Sequence, residues 1–294
     1  MPDPAVTTER FGIGEWFGHP IESVTADFRK GLAADALGAN ESGRPCPFRN
    51  GHPRCPKAGG VCSLRSYRAH EESVELTDRR AIVCPSRFEQ DDVLVKWLAE
   101  ILDYGAAPKV AREAPFMRST ATGKWAGKVD MVVAHDGDGQ LKWCGLEIQA
   151  VYFSGRGMQS EFTRLLENAD DVPPFPDAVR RPDWRSSGAK RLMPQLQIKV
   201  PTLRRWGSKM AVAVDAPFFA AIGGPSQAPT QDLNDGDIIW LVPELQENAA
   251  GQLTLVRGHW EVLTLEESGQ RLLAAATVPR EEFESGLHAR LQPT

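Results

Sequence analysis

The chain has 294 residues, of which 41% are hydrophobic and 25% charged, as is typical of a soluble globular protein with a substantial core. No apolar run approaches the roughly 18 residues that span a membrane, and Met1 to Arg10 contain no basic segment leading into an apolar one. This composition argues against a transmembrane protein, and we expect a chain without a signal peptide in a reducing cytoplasm.

The formal net charge of −5 conceals an uneven distribution of charged residues. Residues 43–70 contain six Lys or Arg and no acid, and residues 180–209 contain nine Lys or Arg and one acid, Asp183. The two stretches therefore carry +6 and +8, and the rest of the chain carries −19. Such segregation is typical of a protein that binds a polyanion with one surface, although two solvated basic loops would give the same pattern.

The first segment of the chain, residues 1–88, is rich in Gly, Pro, Cys and Arg, and its later part has weak hydrophobic periodicity. Such a segment does not easily form a core without a further stabilising cross-link. From residue 89 the pattern changes, because Val93, Trp97 and Ile101 recur at the spacing of a helix. We therefore predict two domains, at 1–88 and 89–294.

The second part of the chain contains strand-like and helical runs. Strands are predicted at 128–135, 141–153, 210–214, 238–242 and 253–263. Helices are predicted at 159–168 and 189–199, and a basic, Pro-rich stretch at 173–187 leaves the core. Strands mixed with flanking helices are typical of an α/β or α+β catalytic domain.

Four of the five cysteines lie within 39 residues, at Cys46, Cys55, Cys62 and Cys84. Disulfides are disfavoured in a reducing compartment, so a four-thiolate metal site is the natural alternative, and its metal would staple the segment. The spacing lacks the tight C-x2-C pairs of common zinc sites, which leaves unliganded thiols as a second interpretation. Zinc and iron both suit four thiolates. Cys144 stands apart and is predicted to be a buried packing residue.

The most informative segment is a predicted hairpin around Asp138-Gly139, a pair typical of two-residue turns. With this turn, Asp130 lies directly opposite Glu147 and Lys128 lies opposite Gln149, with all four side chains on one face. A turn at the other Asp-Gly pair, 136–137, would shift the pairing by four residues.

Two directly opposed carboxylates have Cβ atoms about 5 Å apart and repel each other unless a cation lies between them. A divalent metal such as Mg²⁺ would bind both Asp130 and Glu147, activate a water and stabilise charge on a phosphodiester. Ordinary acids on an exposed strand face are the alternative. The apolar neighbours of Glu147 favour a functional role, because a carboxylate among them is either paired or functional.

These residues resemble, in chain order, the NotI-type type II restriction endonucleases of the PD-(D/E)xK nuclease superfamily. The similar segments are Trp16–His19, the four cysteines with their neighbours, Val129-Asp130 before the catalytic strand, and Gly145–Gln149 in that strand. The resemblance is much weaker after residue 200.

The resemblance implies a role for each residue of the active site. Asp130 and Glu147 would be the two acids that bind catalytic Mg²⁺, and Gln149 would occupy the position where most superfamily members have lysine. Glu113 is the nearest match to a further upstream acid. Because glutamine only hydrogen-bonds and orients water, the missing positive charge must come from the metal or from another residue, and Lys128 is our candidate from the predicted pairing.

The resemblance also implies the fold and the partners. It predicts a PD-(D/E)xK core, a mixed central sheet flanked by helices, with a small N-terminal metal-binding domain whose four cysteines hold structural iron rather than zinc. The family acts as a homodimer on a GC-rich palindrome in double-stranded DNA, and a cognate DNA methyltransferase belongs to the same system without direct contact.

The leading hypothesis is therefore a Mg²⁺-dependent type II restriction endonuclease whose two basic stretches neutralise phosphates and, in part, read bases. A non-catalytic DNA-binding protein with a four-cysteine metal module is the alternative from another class. A repair or transposon nuclease with the same core is a third hypothesis.

Overall fold

The structure of the protein is a computed structural model, and it describes residues 8–38, 43–57, 59–70, 73–137, 139–249, 251–273 and 278–291. Its strands are β1 (Thr8–Trp16), β2 (His19–Pro20), β3 (Val61–Ala69), β4 (Val74–Ile82), β5 (Lys109–Arg118), β6 (Trp125–Gly137), β7 (Gln140–Ile148), β8 (Phe153–Ser154), β9 (Arg181–Pro182), β10 (Met210–Ala213), β11 (Ile238–Glu247) and β12 (Leu253–Leu263). Its α-helices are α1 (Ala26–Ala36), α2 (Val93–Ile101), α3 (Gln159–Glu167), α4 (Trp184–Ser187), α5 (Met193–Arg205), α6 (Ala216–Ala221), α7 (Leu265–Leu273) and α8 (Arg280–His288). No described helix is long and apolar enough to cross a bilayer.

The larger sheet has six strands in the order β12-β11-β10-β7-β6-β5. Strand β10 runs parallel to both β7 and β11, and the outer strands are antiparallel to their neighbours. The predicted mixed sheet with flanking helices is therefore confirmed. The predicted strand 141–153 is too long, because β7 ends at Ile148, and the predicted helix at 189–199 begins as a π-helix before continuing into α5.

Helices cover both faces of the central strands, and the residues of β10 alternate between the two cores. Ala211 and Ala213 pack with α2 on one face, whereas Met210 and Val212 pack with α5 on the other. Because all four residues of β10 are buried, the strand is continuously apolar, as is typical of a central parallel strand. The buried Cys144 belongs to the core on the α2 side, which confirms its predicted packing role.

The smaller sheet has the order β2-β1-β3-β4 and has its own apolar core. Trp16 is fully buried and stacks on Phe162 of α3, with ring centroids 5.3 Å apart. The weak periodicity of residues 1–88 therefore understates their core, because most of its buried residues, such as Phe11 and Leu64, belong to the segment itself, and helix α3 adds Phe162 and Leu165. The division into domains at 1–88 and 89–294 stays a prediction.

The smaller sheet is joined to the larger one where β7 and β10 end. The backbone N–H of Val151 donates to the carbonyl of Ile82, the last residue of β4, at 2.9 Å. The N–H of Ile82 in turn donates to the Asp215 carboxylate at 2.6 Å. The carboxyl ends of these parallel strands, where sites in open α/β sheets lie, therefore adjoin the smaller sheet.

Candidate active site

The predicted hairpin is formed by β6 and β7, with the register that the Asp138-Gly139 turn requires. Gly137 pairs with Gln140, and the regular ladder continues to Met131 opposite Leu146. Gly139 has a φ of 74°, the left-handed conformation that favours glycine. Asp138 itself lies outside the described residues. The register is confirmed, and the alternative turn at 136–137 is excluded.

The two strands separate where the ladder reaches Asp130 and Glu147. The N–H of Asp130 donates to Glu147 Oε1 at 3.3 Å, and the N–H of Ile148 donates to Asp130 Oδ2 at 3.1 Å. The carboxylates thus replace backbone carbonyls as acceptors at the end of the ladder. Among the described residues, none donates a hydrogen bond to Oδ1 of Asp130 or Oε2 of Glu147, so each acid keeps one oxygen for a ligand.

The predicted pairing of Lys128 with Gln149 is wrong because the strands have already separated there. Lys128 lies opposite Pro115 of β5, and its ammonium forms an ion pair with Glu113. The N–H of Gln149 donates to the carbonyl of Ala213 at 3.0 Å, which draws the chain toward β10.

Glu147 is almost fully buried, and its environment is strongly perturbed. Burial and the neighbouring charge of Asp130 raise the pKa of Glu147 to about 7, whereas the ammonium of Lys199 opposes the shift. Lys199 Nζ lies 2.6 Å from Glu147 Oε1 and 2.8 Å from Gln195 Oε1. A buried carboxylate paired with a buried cation beside a second acid is typical of functional sites.

Glu113 lies on β5, across the strand pair from Asp130. The paired residues on either side are Arg112–Met131 and Ala114–Val129. Glu113 has a φ of 54°, which is uncommon for a residue other than glycine and is enriched at functional sites. The acids Glu113, Asp130 and Glu147 thus occupy three neighbouring strands, with the Glu113 carboxylate held by Lys128.

Asp130 lines two adjoining cavities together with Gln195 of α5. One cavity, of about 960 Å³, also contains Gln149 and Arg191 in its wall. The other, of about 700 Å³, also contains Glu113, Lys128 and Lys199. Asp130 therefore faces open space on both sides, and Glu113 faces the smaller cavity, whereas Glu147 lies buried behind them.

The four cysteines lie around one small region of the N-terminal segment, and none forms a disulfide. Cys46, Cys55 and Cys62 pack around Phe48, and the N–H of Cys84 donates to the carbonyl of Cys62 at 3.2 Å. Burial raises the pKa of the Cys62 thiol well above its usual value. Within the described part of the chain, no group of three or more His, Cys, Asp or Glu side chains is arranged to hold a metal ion. The donor chemistry suits zinc or iron, but the side chains do not form a complete cage.

A comparison with protein families decides the identity. The family model described as restriction endonuclease NotI matches residues 33–255, which is most of the chain. The chain belongs to the NotI restriction endonuclease family. No curated protein and no solved structure matches it. Membership makes the protein a type II site-specific deoxyribonuclease that acts on double-stranded DNA, and the hypotheses of a non-catalytic binding protein and of a repair or transposon nuclease are set aside.

The two basic stretches of this NotI-family endonuclease differ in how their charges are used. Four of the six basic residues in 43–70 form ion pairs with carboxylates: Arg44, Arg49, Arg65 and Arg68. In 180–209, five exposed residues have no carboxylate partner among the described residues: Arg181, Arg185, Lys190, Arg191 and Arg205. The guanidinium of Arg191 lies over the Tyr152 ring, 4.4 Å from its centroid, at the wall of the larger cavity. The second stretch is therefore the better candidate for phosphate contacts.

The sequence prediction did not include Lys199 among the residues of the candidate site. Lys199 lies 52 residues after Glu147, on a helix that packs over β7 and β10. Its one local indication is that it follows Leu196 and precedes Val200 and Leu203, the apolar positions of α5. A lysine next to the buried apolar positions of a helix therefore indicates that its ammonium is paired with a group in the protein interior.

Proposed function

We propose that this endonuclease hydrolyses phosphodiester bonds with Mg²⁺ bound by Asp130 and Glu147. The observation that carries the proposal is a pair of carboxylate oxygens, Asp130 Oδ1 and Glu147 Oε2, that accept no hydrogen bond from a described residue, with Asp130 in the shared wall of two cavities. Carboxylate oxygens are the ligands that Mg²⁺ prefers, and the bound ion would lower the pKa of a water and neutralise charge on the phosphate.

The other predicted residues have supporting roles in this proposal. Glu113 lies across from Asp130 and completes the acidic row when Lys128 releases its carboxylate. The amide of Gln149 orients the attacking water by hydrogen bonding, because it has no proton to exchange and no charge to offer. In the structure that amide donates to the carbonyl of Ala150 at 2.5 Å, so it must turn toward the cavity to act.

The proposed architecture is a PD-(D/E)xK core formed by β5, β6, β7 and β10, with α2 and α5 on its faces. The N-terminal segment, residues 1–88, would be a four-cysteine metal-binding domain. Three thiols around Phe48, with Cys84 bonded through its backbone to Cys62, are the donors that would have to close around a structural iron or zinc ion there. Metal analysis of purified protein tests this part: about one iron or zinc per chain supports it, and a metal-free folded protein contradicts it.

The proposed substrate is a GC-rich palindrome cut by a homodimer, because a symmetric pair of subunits matches a symmetric site. Exposed arginines in residues 180–209 suit guanine, which arginine contacts with two hydrogen bonds. A DNA substrate, reduced thiols and a cognate methyltransferase that protects host DNA all suit a cytoplasmic enzyme.

The test is digestion of a sequenced plasmid with and without Mg²⁺, followed by mapping of the fragment ends. We expect discrete fragments that require Mg²⁺ and share one GC-rich site. Asp130→Asn and Glu147→Gln should abolish cleavage and retain DNA binding in Ca²⁺. Asp136→Asn is the matched control, because it removes an exposed acid of the same strand that pairs with Lys109. Cleavage by Asp130→Asn and Glu147→Gln at the wild-type rate would refute the site.

A further inference from the structure

We infer that Lys199, carried by helix α5, is a positioning residue that brings to the reaction centre the positive charge that Gln149 does not supply. In most superfamily members a lysine of the catalytic strand provides this charge. Here the charge of Lys199 would reach the Glu147 carboxylate from a helix on the face of the sheet. The inference rests on the proposed function of Asp130 and Glu147.

The contacts of Lys199 place its charge at the site. The residue is 6% exposed, and its ammonium donates to Glu147 Oε1 and Gln195 Oε1, at 2.6 and 2.8 Å. An ammonium has three hydrogens, and no described residue accepts the third. Since Lys199 and Asp130 line the same cavity of about 700 Å³, that hydrogen is available to a phosphate oxygen entering there.

The surrounding packing fixes this position. Leu196, Val200 and Leu203 of α5 are each 1% exposed and pack against the larger sheet. The helix therefore cannot move the lysine away without opening the core. Taking an ammonium out of water costs several kcal/mol unless it is paired, and an apolar residue would fill the same volume at no such cost. A buried lysine here thus indicates a use for its charge.

The other cations near the acids are engaged elsewhere. The ammonium of Lys128 is bound to Glu113, and its side chain is 58% exposed. The guanidinium of Arg191 lies over Tyr152. Among the described residues, Lys199 is the cation that bonds directly to Glu147. This replaces Lys128, the candidate from the predicted pairing.

The test measures single-turnover cleavage by Lys199→Met, Lys199→Arg and the double variant Lys199→Met/Gln149→Lys. Loss of one such cation should lower the cleavage rate of Lys199→Met by about 10²- to 10³-fold, with DNA affinity in Ca²⁺ unchanged. Lys199→Arg should keep much of the rate because it keeps the charge. A lysine at 149 should restore cleavage to Lys199→Met, which it would not do if Lys199 only stabilised the fold. Lys96→Met, which removes an exposed helical lysine bonded to the Asp91 carbonyl and outside both basic stretches, is the control and should cut normally.

The outcomes separate this inference from the proposed function. If the wild type requires Mg²⁺ and Glu147→Gln is inactive while Lys199→Met cuts at the wild-type rate, the inference is overturned and the proposed function stands. If Glu147→Gln itself cuts normally, the proposed function fails first. Where circular dichroism shows that Lys199→Met is unfolded, Lys199→Arg decides: a folded, active variant supports the inference, and a folded, inactive or an unfolded one overturns it.

Discussion

A buried ion pair between Glu15 and Arg87 joins the smaller sheet to the larger one, and its loss should destabilise the whole protein. Both side chains are 0% exposed, and Arg87 Nε lies 2.9 and 3.0 Å from the two carboxylate oxygens. The same guanidinium donates to Gln90 Oε1 at 2.6 Å and to the carbonyl of Leu253 in β12 at 2.9 Å. It also lies over the Phe48 ring among the cysteines, 4.3 Å from the centroid.

The substitution Arg87→Met leaves Glu15 buried without a cation, which costs about 3–5 kcal/mol. The Leu253 carbonyl also loses its donor, which adds about 1–3 kcal/mol. We therefore expect the free energy of unfolding to fall by about 4–8 kcal/mol, a large part of the roughly 5–15 kcal/mol typical of a domain. The double variant Glu15→Met/Arg87→Met removes both charges and should recover about 3 kcal/mol or more of this loss.

The assay is urea unfolding followed by circular dichroism, with the transition midpoint and slope fitted for each variant. Arg257→Met is the control, because it breaks an exposed ion pair with Glu100 and should cost at most about 1 kcal/mol. The reasoning would be refuted if Arg87→Met lay within about 1 kcal/mol of the wild type, or if the double variant were no more stable than the single one.

Three further predictions concern a buried acid, a glycine and an arginine. Burial raises the pKa of Asp215 from 3.8 to about 6, so folding favours its protonated form and stability is lost as the pH rises from about 4 to about 6. Relative to Asp215→Asn, the free energy of unfolding of the wild type should fall by up to about 3 kcal/mol over this range. Parallel pH profiles for the two proteins would contradict this. Gly60→Ala should lower the free energy of unfolding in urea by about 2–4 kcal/mol, because the φ of Gly60 is 65° and a Cβ would lie 2.2 Å from the Phe17 ring. Gly123→Ala, at a similar positive φ but with open space around it, should cost less than half as much. Arg191→Ala should reduce the slope of log affinity against log salt for DNA by about 1, and an unchanged slope would show that this residue does not contact phosphate.

The parts of the fold that could be predicted depend on local patterns. The Asp-Gly turn fixed the β6–β7 register because a two-residue turn leaves a single pairing for the flanking strands. The apolar spacing in 93–101 gave helix α2, and alternation gave β12 with both ends in place. In each case the residues that determine the structure are close together in the sequence.

The parts that could not be predicted depend on contacts between distant residues. Trp16 is buried because Phe162 stacks on it, 146 residues later. The separation of β6 and β7 also has a distant cause, since the N–H of Gln149 bonds to Ala213 and leaves the hairpin partner. Strand pairing that ends early cannot be read from the spacing of one hairpin, and the predicted position of Lys128 failed for that reason.

The same early separation explains how this chain combines two acids and a glutamine in the proposed site. While the ladder is regular, opposed carboxylates must repel; where it ends, Asp130 and Glu147 each accept a backbone N–H and keep one oxygen for a ligand. A positive charge has to lie near the reacting phosphate, but no rule of electrostatics requires it to come from the strand that carries the acid. In the proposed site, Lys199 would provide the charge and Gln149 would orient the water, so that the two tasks fall to two different side chains.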